Sequence, residues 1–399
     1  MKRILLLGAS TRALAESAWL SGHPIVSVDY FGDRDQKQLV ENYALLQDFH
    51  LPLSVQGLAQ ASARIEAEAV AYVGNLENYP EIVEELTKDR LLLGNGSRAL
   101  REVRDWRTLR RFCREVGILY PSTLLPGEEK QACPEYHWLC KPIRSGGGHG
   151  IHSWDERPLK NHQILQAKIE GRPASVAFVA DGRRSRILGV TEQLIGRPEL
   201  GSSGFVWSGN IFPLDLALVD GGYLMHQMEE MVSWLTHRFG LRGVNGVDVM
   251  VSGELGGYLH PYLLEVNPRY SASMELVERA NGTNLFNLHM DGLAGRLPDF
   301  SFRERSHQDF VGKGVVYARR AVSIADTSRW VERGIRDVPF PGRRIDAGHP
   351  VCTVLASGSS RQACFDAISQ SAATVYGEIE EEREERCGRT AHLDHRAYA

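Results

Sequence analysis

The chain carries no dense stripe of lysine and arginine. Its 46 basic and 50 acidic residues leave a formal net charge of −4, a balance that argues against a nucleic-acid partner. No apolar run approaches the ~20 residues needed to span a bilayer. The basic start Met1-Lys2-Arg3 leads into only a short run, below the ~7–15 residues of a secretory h-region. A first strand fits that run better, and a cytoplasmic location is expected. Six cysteines show neither CxxC pairing nor a histidine at zinc spacing, so they are read as buried or incidental thiols in a reducing compartment. Spaced glycines are missing too. After Gly8 the chain reads Ala-Ser-Thr-Arg, which is not the fingerprint of a dinucleotide site.

What is present is a soluble globular composition, 43% hydrophobic and 24% charged over 399 residues, long enough for two or three domains. Residues 1–100 alternate strand and helix patterns. A strand over Arg3–Leu7, a turn with Ser10 as N-cap, a helix over Thr11–Ser21 and a strand Ile25–Val28 ending at Asp29 open a Rossmann-like βαβ unit. Asp29 stands where a ribose-binding acid would. Val70–Val73, the loop Gly74–Asn78, a helix over Tyr79–Lys88 and Leu91–Leu93 complete the unit.

The most informative stretch is Val244–Ser273. Apolar runs at Gly246–Val251 and Tyr258–Val266 flank the turn signal Ser252–Gly257, which reads as an antiparallel hairpin. Strand alternation puts Asp248 with Met250 on one face and Glu265 with Asn267 on one face of the other arm. If the faces coincide, two carboxylates and an amide oxygen converge, a hard oxygen set suited to Mg²⁺. Glu265 sits within Tyr262-Leu263-Leu264-Glu265-Val266, where an acid must be neutralised or paired. Arg269 follows two residues further on. The plain alternative is an ordinary hairpin with solvated acids.

Upstream, His137–Pro142 reads as a strand carrying Lys141, followed by Ile143-Arg144-Ser145-Gly146-Gly147-Gly148-His149-Gly150. Four glycines in five positions let backbone N–H groups turn inward as an anion nest. Gly-Lys-Ser/Thr is missing, so this is not a Walker A loop. Ser97–Gly117 is helical and basic. Gln163–Phe178 reads as two strands around Glu170–Pro173, Gly222–Phe239 as a helix with a core stripe of Met228, Met231, Val232, Leu235 and Phe239, and Glu275–Gly292 as helical with a break at Asn281-Gly282. Composition turns polar near Leu297-Pro298. Strands Gly314–Ile324 and Val351–Ala356 and a helix Arg361–Tyr376 follow, then a charged tail, for which a frayed helix end running into disorder is the default.

The segment LLEVNPR, preceded by Gly-Val-Asp, resembles the metal-binding strand of ATP-grasp ligases, in the branch of predicted ATP-dependent carboligases related to biotin carboxylase. The resemblance covers residues 1–376. It implies an α/β and α+β multidomain protein: a Rossmann-like N-terminal domain over 1–100, an ATP-grasp fold in two subdomains over 101–298 with its hinge near 166–171, a small β-rich C-terminal domain over 299–376, and a tail over 377–399. Carried over residue by residue, Asp248, Glu265 and Asn267 hold Mg²⁺ (Mn²⁺ as an alternative). Lys141, Ser145, Gly146, Gly147 and Gly148 meet the phosphates of ATP, and Gln166, Ala167 and Ile169 the adenine edge. Arg269 serves the transferring group. The implied activity is an ADP-forming carboxylate–amine or carboxylate–thiol ligation through an acyl phosphate. Carboxyphosphate chemistry and a non-catalytic ATP-binding role are the alternatives. The partners implied are a small-molecule carboxylate and amine, without nucleic acid or membrane, and a homodimer is left open. One departure stands out: Asp105-Trp106 occupies the place of an Asp-Lys pair, leaving Arg104 or Arg107 to supply the missing cation with a planar group unlike an ammonium.

Overall fold

The computed structural model describes residues 2–215, 221–253, 258–300 and 309–394. The first hundred residues form a parallel sheet whose three central strands are short runs buried on both faces. β1 (Ile4–Leu7), β2 (Ile25–Asp29), β3 (Glu41–Ala44), β4 (Ala69–Tyr72) and β5 (Leu91–Leu92) stand in the order β3-β2-β1-β4-β5. The first helix begins at Arg12 with Thr11 as its N-cap, not Ser10. The Thr11 hydroxyl donates to Asp29 at 2.6 Å instead of capping the helix.

A second, smaller sheet contains β6 (Thr123–Leu124), β7 (Trp138–Pro142), β8 (His152–Ser153) and β9 (Gln163–Ala167), in the order β6-β9-β7-β8. It closes on its own small core of Leu124, Trp138, Cys140 and Leu165. The chain leaves it through residues 168–171 and enters the main sheet, so the expected hinge falls between two sheets.

The main sheet is antiparallel throughout. Its strands are β10 (Arg172–Asp181), β11 (Ser185–Ile195), β12 (Trp207–Phe212), β13 (Arg242–Ser252), β14 (His260–Asn267) and β15 (Phe310–Tyr317). After a ribbon of β16 (Val322–Ser323) and β17 (Arg344–Ile345), β18 (Pro350–Gly358) joins it, giving the order β14-β13-β10-β11-β12-β15-β18. The polar composition near Pro298 therefore does not end the sheet: β15 pairs directly with β12. The helix starting at Arg361 runs to Asp394, well past Tyr376, through glutamates and arginines that are good helix formers.

One face of this sheet packs on the helices Trp106–Val116 and Gly221–Phe239, burying the expected stripe of Met228, Met231, Val232, Leu235 and Phe239. The other face meets the helices Met274–Asn281 and Leu285–Leu293 and the first unit. Polar ties lock that contact. Asn95 donates to Asn245 Oδ1 at 2.8 Å and to the Pro268 carbonyl at 3.0 Å. His289 lies between the Val244 N–H (3.0 Å) and the Leu93 carbonyl (3.1 Å), and burial pushes its pKa down to about 4, so it sits there neutral.

A buried ionic network joins the first unit, the main sheet and the C-terminal segment. Arg12, 1% exposed, donates to both Glu275 oxygens at 2.6 and 2.8 Å and to both Asp337 oxygens at 3.0 and 3.3 Å. Lys313 on β15 donates to Glu275 at 2.8 Å. Burial alone would raise the Glu275 carboxyl, but Arg12 and Lys313 outweigh it and hold it well below the usual range.

Candidate functional site

Asp248 and Glu265 are direct cross-strand partners on β13 and β14, and Gly246 faces Asn267. A β-bulge makes this arrangement. The register shifts between Asp248 and Val249, so Leu264 is the extra residue and Leu263 pairs with Val249. Leu263 and Val266, three positions apart, are both buried in the core. Strict alternation from Leu263 would turn Glu265 inward with it. The inserted residue reverses that parity, so the acid faces Asp248 instead.

Around Asp248 the donors are dense. Ser175 gives its hydroxyl at 2.6 Å, Gln193 its amide at 2.9 Å and Asn267 its amide at 2.9 Å. Even so, burial first and the neighbouring Glu265 second push the Asp248 pKa up to about 7. Among the described residues no group of three His, Cys, Asp or Glu side chains is placed to hold a metal. The candidate is this acid pair with the Asn267 amide. Two carboxylates held face to face fit a divalent cation, because a cation relieves the repulsion between them.

Two arginines flank the pair. Arg269 donates to Asn267 Oδ1 at 3.2 Å, to the Tyr270 carbonyl at 3.1 Å and to Glu77 of the first unit at 2.6 Å. The Glu77 carboxyl, raised by burial alone, is held below its ordinary value by Arg269. Arg104 sits between the helices Ser97–Val103 and Trp106–Val116, where Asp105 caps the second by accepting from the Thr108 N–H at 2.7 Å. From that break its guanidinium reaches Glu265 at 3.4 Å and the Val266 carbonyl at 2.9 Å. Arg107 is exposed and makes no such approach. Of the two candidates for the missing cation, Arg104 is the one beside the acids, lining a shallow recess with Trp106 and Glu265.

On the opposite side, Lys141 on β7 donates to Gln166 Oε1 at 2.6 Å. Burial pulls the Lys141 ammonium down from its ordinary value, while the charges of Glu265 and Asp248 act to restore it. The Gln166 side chain, assigned by the resemblance to the adenine edge, is thus engaged with Lys141. Ala167 spends its N–H on the Ser122 carbonyl at 2.8 Å. Ile169 follows β9, half-buried. Ser145 is half-buried and Gly146 exposed. Gly147 and Gly148 have φ of 63° and 74°, a region open to glycine. The loop rests on the main sheet, with the Trp207 N–H donating to the Gly147 carbonyl at 2.9 Å. It also touches the first unit, where Arg144 stands 3.2 Å from Glu81 and 5.0 Å from the Tyr79 ring.

Asp29, the ribose-like acid, is otherwise engaged. It accepts from the Thr11 hydroxyl at 2.6 Å and from the N–H groups of Gly32 at 2.7 Å and Phe31 at 3.0 Å. Its role is to close the turn after β2.

Residues 103–273 match the family model described as the ATP-grasp domain. The chain carries an ATP-grasp domain. The match ends at Ser273, before Glu275 and β15. An uncharacterised protein of Methanocaldococcus jannaschii is 21% identical over 406 residues, covering 96% of this chain and 94% of that protein. Among solved structures, the chain is similar to the biotin carboxylase domain of Hydrogenobacter thermophilus 2-oxoglutarate carboxylase, with a TM-score of 0.68, 14% identity and coverage of 92% of this chain and 88% of that one. It is also similar to an L-amino acid ligase from Bacillus licheniformis, with a TM-score of 0.64, 14% identity and coverage of 94% and 97%.

The ATP-grasp domain thus carries Lys141 on its small sheet and the acids on its main sheet. Ser175 and Gln193 also lie at the acid pair, and sequence reasoning missed them: a serine in an apolar stretch of β10 and a glutamine following Thr191 and Glu192 on β11 belong to no motif. The glycine loop offers a direct test. A Cβ on Gly148 would come within 1.8 Å of the Phe205 carbonyl oxygen. Gly148→Ala is expected to lift the loop and to speed tryptic cleavage after Arg144, with the melting temperature little changed. Unaltered cleavage would mean that the loop does not depend on this contact.

Proposed function

We propose that the protein is an ADP-forming, ATP-dependent ligase that joins a small carboxylate to an amine or thiol through an acyl phosphate. One observation carries this reading: Asp248 and Glu265 face each other across β13 and β14, with Arg269 held beside them. Asp248, Glu265 and Asn267 are the residues that would hold Mg²⁺, which supplies positive charge to the nucleotide phosphates when bound. The biotin carboxylase domain noted above binds MgADP and bicarbonate. This supports Mg·ATP as the nucleotide here and makes bicarbonate one of the carboxylates to offer.

Joining a carboxylate to an amine in water is uphill, so the acid must first be activated. Phosphoryl transfer asks of the protein mainly in-line positioning and electrostatic stabilisation. Lys141 supplies charge from the small sheet, and the Gly146–Gly148 amides cover the phosphates. The Ala167 carbonyl and the chain at Ile169 meet the base. Arg269 orients the acid that receives the phosphoryl group and then steadies the oxyanion formed when the nucleophile attacks.

Mg·ATP is expected to raise the melting temperature, because a ligand of the native state stabilises it by mass action, and NAD(P)H is not. In an acceptor panel with ¹⁸O in the carboxylate, one label is expected in the released phosphate, with ADP as the nucleotide product. Label retained wholly in the product, or AMP in place of ADP, would exclude the acyl phosphate.

A further inference from the structure

Two parallel chains of contact run from the β14 acid-and-amide strand into the first unit. In one, Asn267 Oδ1 accepts from Arg269 at 3.2 Å, and Arg269 donates to Glu77 at 2.6 Å. In the other, Glu265 accepts from Arg104 at 3.4 Å, and Arg104 donates to Asn78 Oδ1 at 2.6 and 3.0 Å. Each chain has the same three members: a candidate metal ligand, an arginine, and a residue of the loop after β4. The loop residues are sequence neighbours in one short turn, Leu76–Asn78.

That turn is itself held firmly. Asn75 adopts a left-handed conformation with φ of 88°. The Asn78 N–H donates to the Asn75 carbonyl at 3.2 Å, and its side-chain amide to Asn75 Oδ1 at 3.3 Å. Glu77 and Asn78 are 2% and 5% exposed, and a Cβ on Gly74 would lie in ordinary contact with the Arg269 guanidinium, at 3.8 Å. A buried guanidinium next to two carboxylates has an obvious alternative, which is to fold onto them and fill the place of a cation. Glu77 gives Arg269 a separate counter-charge on the first unit. Asn78 does the same for Arg104 without charge, through one oxygen that takes two donors.

We propose that Glu77 and Asn78 are positioning residues that hold Arg269 off the Asp248–Glu265 pair, restrain Arg104 to its one contact with Glu265, and aim both arginines at the transferring phosphoryl group. The first unit thereby completes the site of the ATP-grasp domain. This inference rests on the ligase reading for the use to which the arginines are put, though not for how they are held.

The test reads the two arginines separately. In ¹⁵N-labelled full-length protein, the Nε–H resonances of Arg269 and Arg104 are assigned by Arg269→Lys and Arg104→Lys. Glu77→Gln is expected to shift the Arg269 resonance and speed its exchange with water while leaving Arg104 in place, and Asn78→Ala to do the reverse. With bicarbonate and a panel of amino acids as acceptors, each variant is expected to lower kcat for ADP formation by about 10²-fold, the usual order for misplacing a reacting group, with little change in KM for Mg·ATP. A purely structural turn would move both resonances together, or neither. Either result overturns the proposal, as does an arginine that moves without loss of turnover. Should the wild-type protein form no ADP with any acceptor, the ligase reading fails and the catalytic purpose of the clamp falls with it. Arginines that stay fixed in a protein that does form ADP would instead remove the clamp and leave the ligase standing.

Discussion

Glu265→Gln is expected to lower ADP formation at least about 10²-fold while leaving the protein as stable as the wild type, or more so, when no nucleotide is present. The two halves of this result have the same origin. Glu265 lies directly across from Asp248, and after burial it is the largest influence raising the Asp248 pKa. Replacing one carboxylate with an amide of the same shape removes that repulsion, so folding gains. It also removes a charge that a divalent cation needs, so Mg·ATP should no longer raise the melting temperature. A general folding defect would lower activity and stability together. Unchanged turnover, with the Mg·ATP shift intact, would show Glu265 to be a structural acid answering to Arg104.

Arg12→Ala is expected to cost about 3–5 kcal/mol, because it strands buried carboxylates that lose their cation. Glu275 and Asp337 both take two hydrogen bonds from Arg12; Lys313 at 2.8 Å remains for Glu275. Lysine should not rescue the variant, since an ammonium cannot reproduce the planar fork. The effect also has a pH signature. The Glu275 pKa is depressed in the folded protein well below its ordinary value of 4.5, through Arg12 and Lys313 overcoming burial. A carboxylate of this kind contributes stability that is fully present above its unfolded pKa and is lost as pH falls through its folded pKa. The gap between wild type and variant should therefore be full at neutral pH and narrow as the solution is acidified below pH 4.5. Melting temperatures measured across that range decide it. An equal melting temperature at pH 7 would show that the network gives no net stabilisation.

Much of the site was legible because its residues break the patterns around them. An acid within Leu263-Leu264-Glu265-Val266 has to be paired, and counting back from Asn267 by twos reaches it. The same count carried on to Leu263 fails, because nothing in the local sequence announces a bulge at Leu264. The nucleotide side was read from glycine and lysine, yet the bond from Lys141 to Gln166 spans two strands, and sequence spacing does not encode which strands meet. Glu77 and Asn78 were passed over as part of a loop. Their meaning lies in arginines far along the chain, and only the docking of the first unit brings them together. The C-terminal strands illustrate the same limit at a larger scale. Composition marks a change near Pro298, but the pairing of β15 with β12 is a matter of free hydrogen-bonding edges, which composition does not record.

The glycine-rich loop is tied down by light bonds. Its ion pair from Arg144 to Glu81 joins side chains that are each about half exposed, at 52% and 51%, and is worth about 0–1 kcal/mol. The Arg144 contact with Tyr79 and the single backbone bond to Gly147 bring the whole to roughly 3 kcal/mol. A threshold that low corresponds to about one open molecule in a hundred or so at any instant, re-formed on a microsecond-to-millisecond clock. If the loop covers the nucleotide as proposed, exchange past it would be fast compared with an ordinary enzyme cycle of about 10 per second. The tempo of the protein would be set elsewhere, in the chemistry between the two sheets.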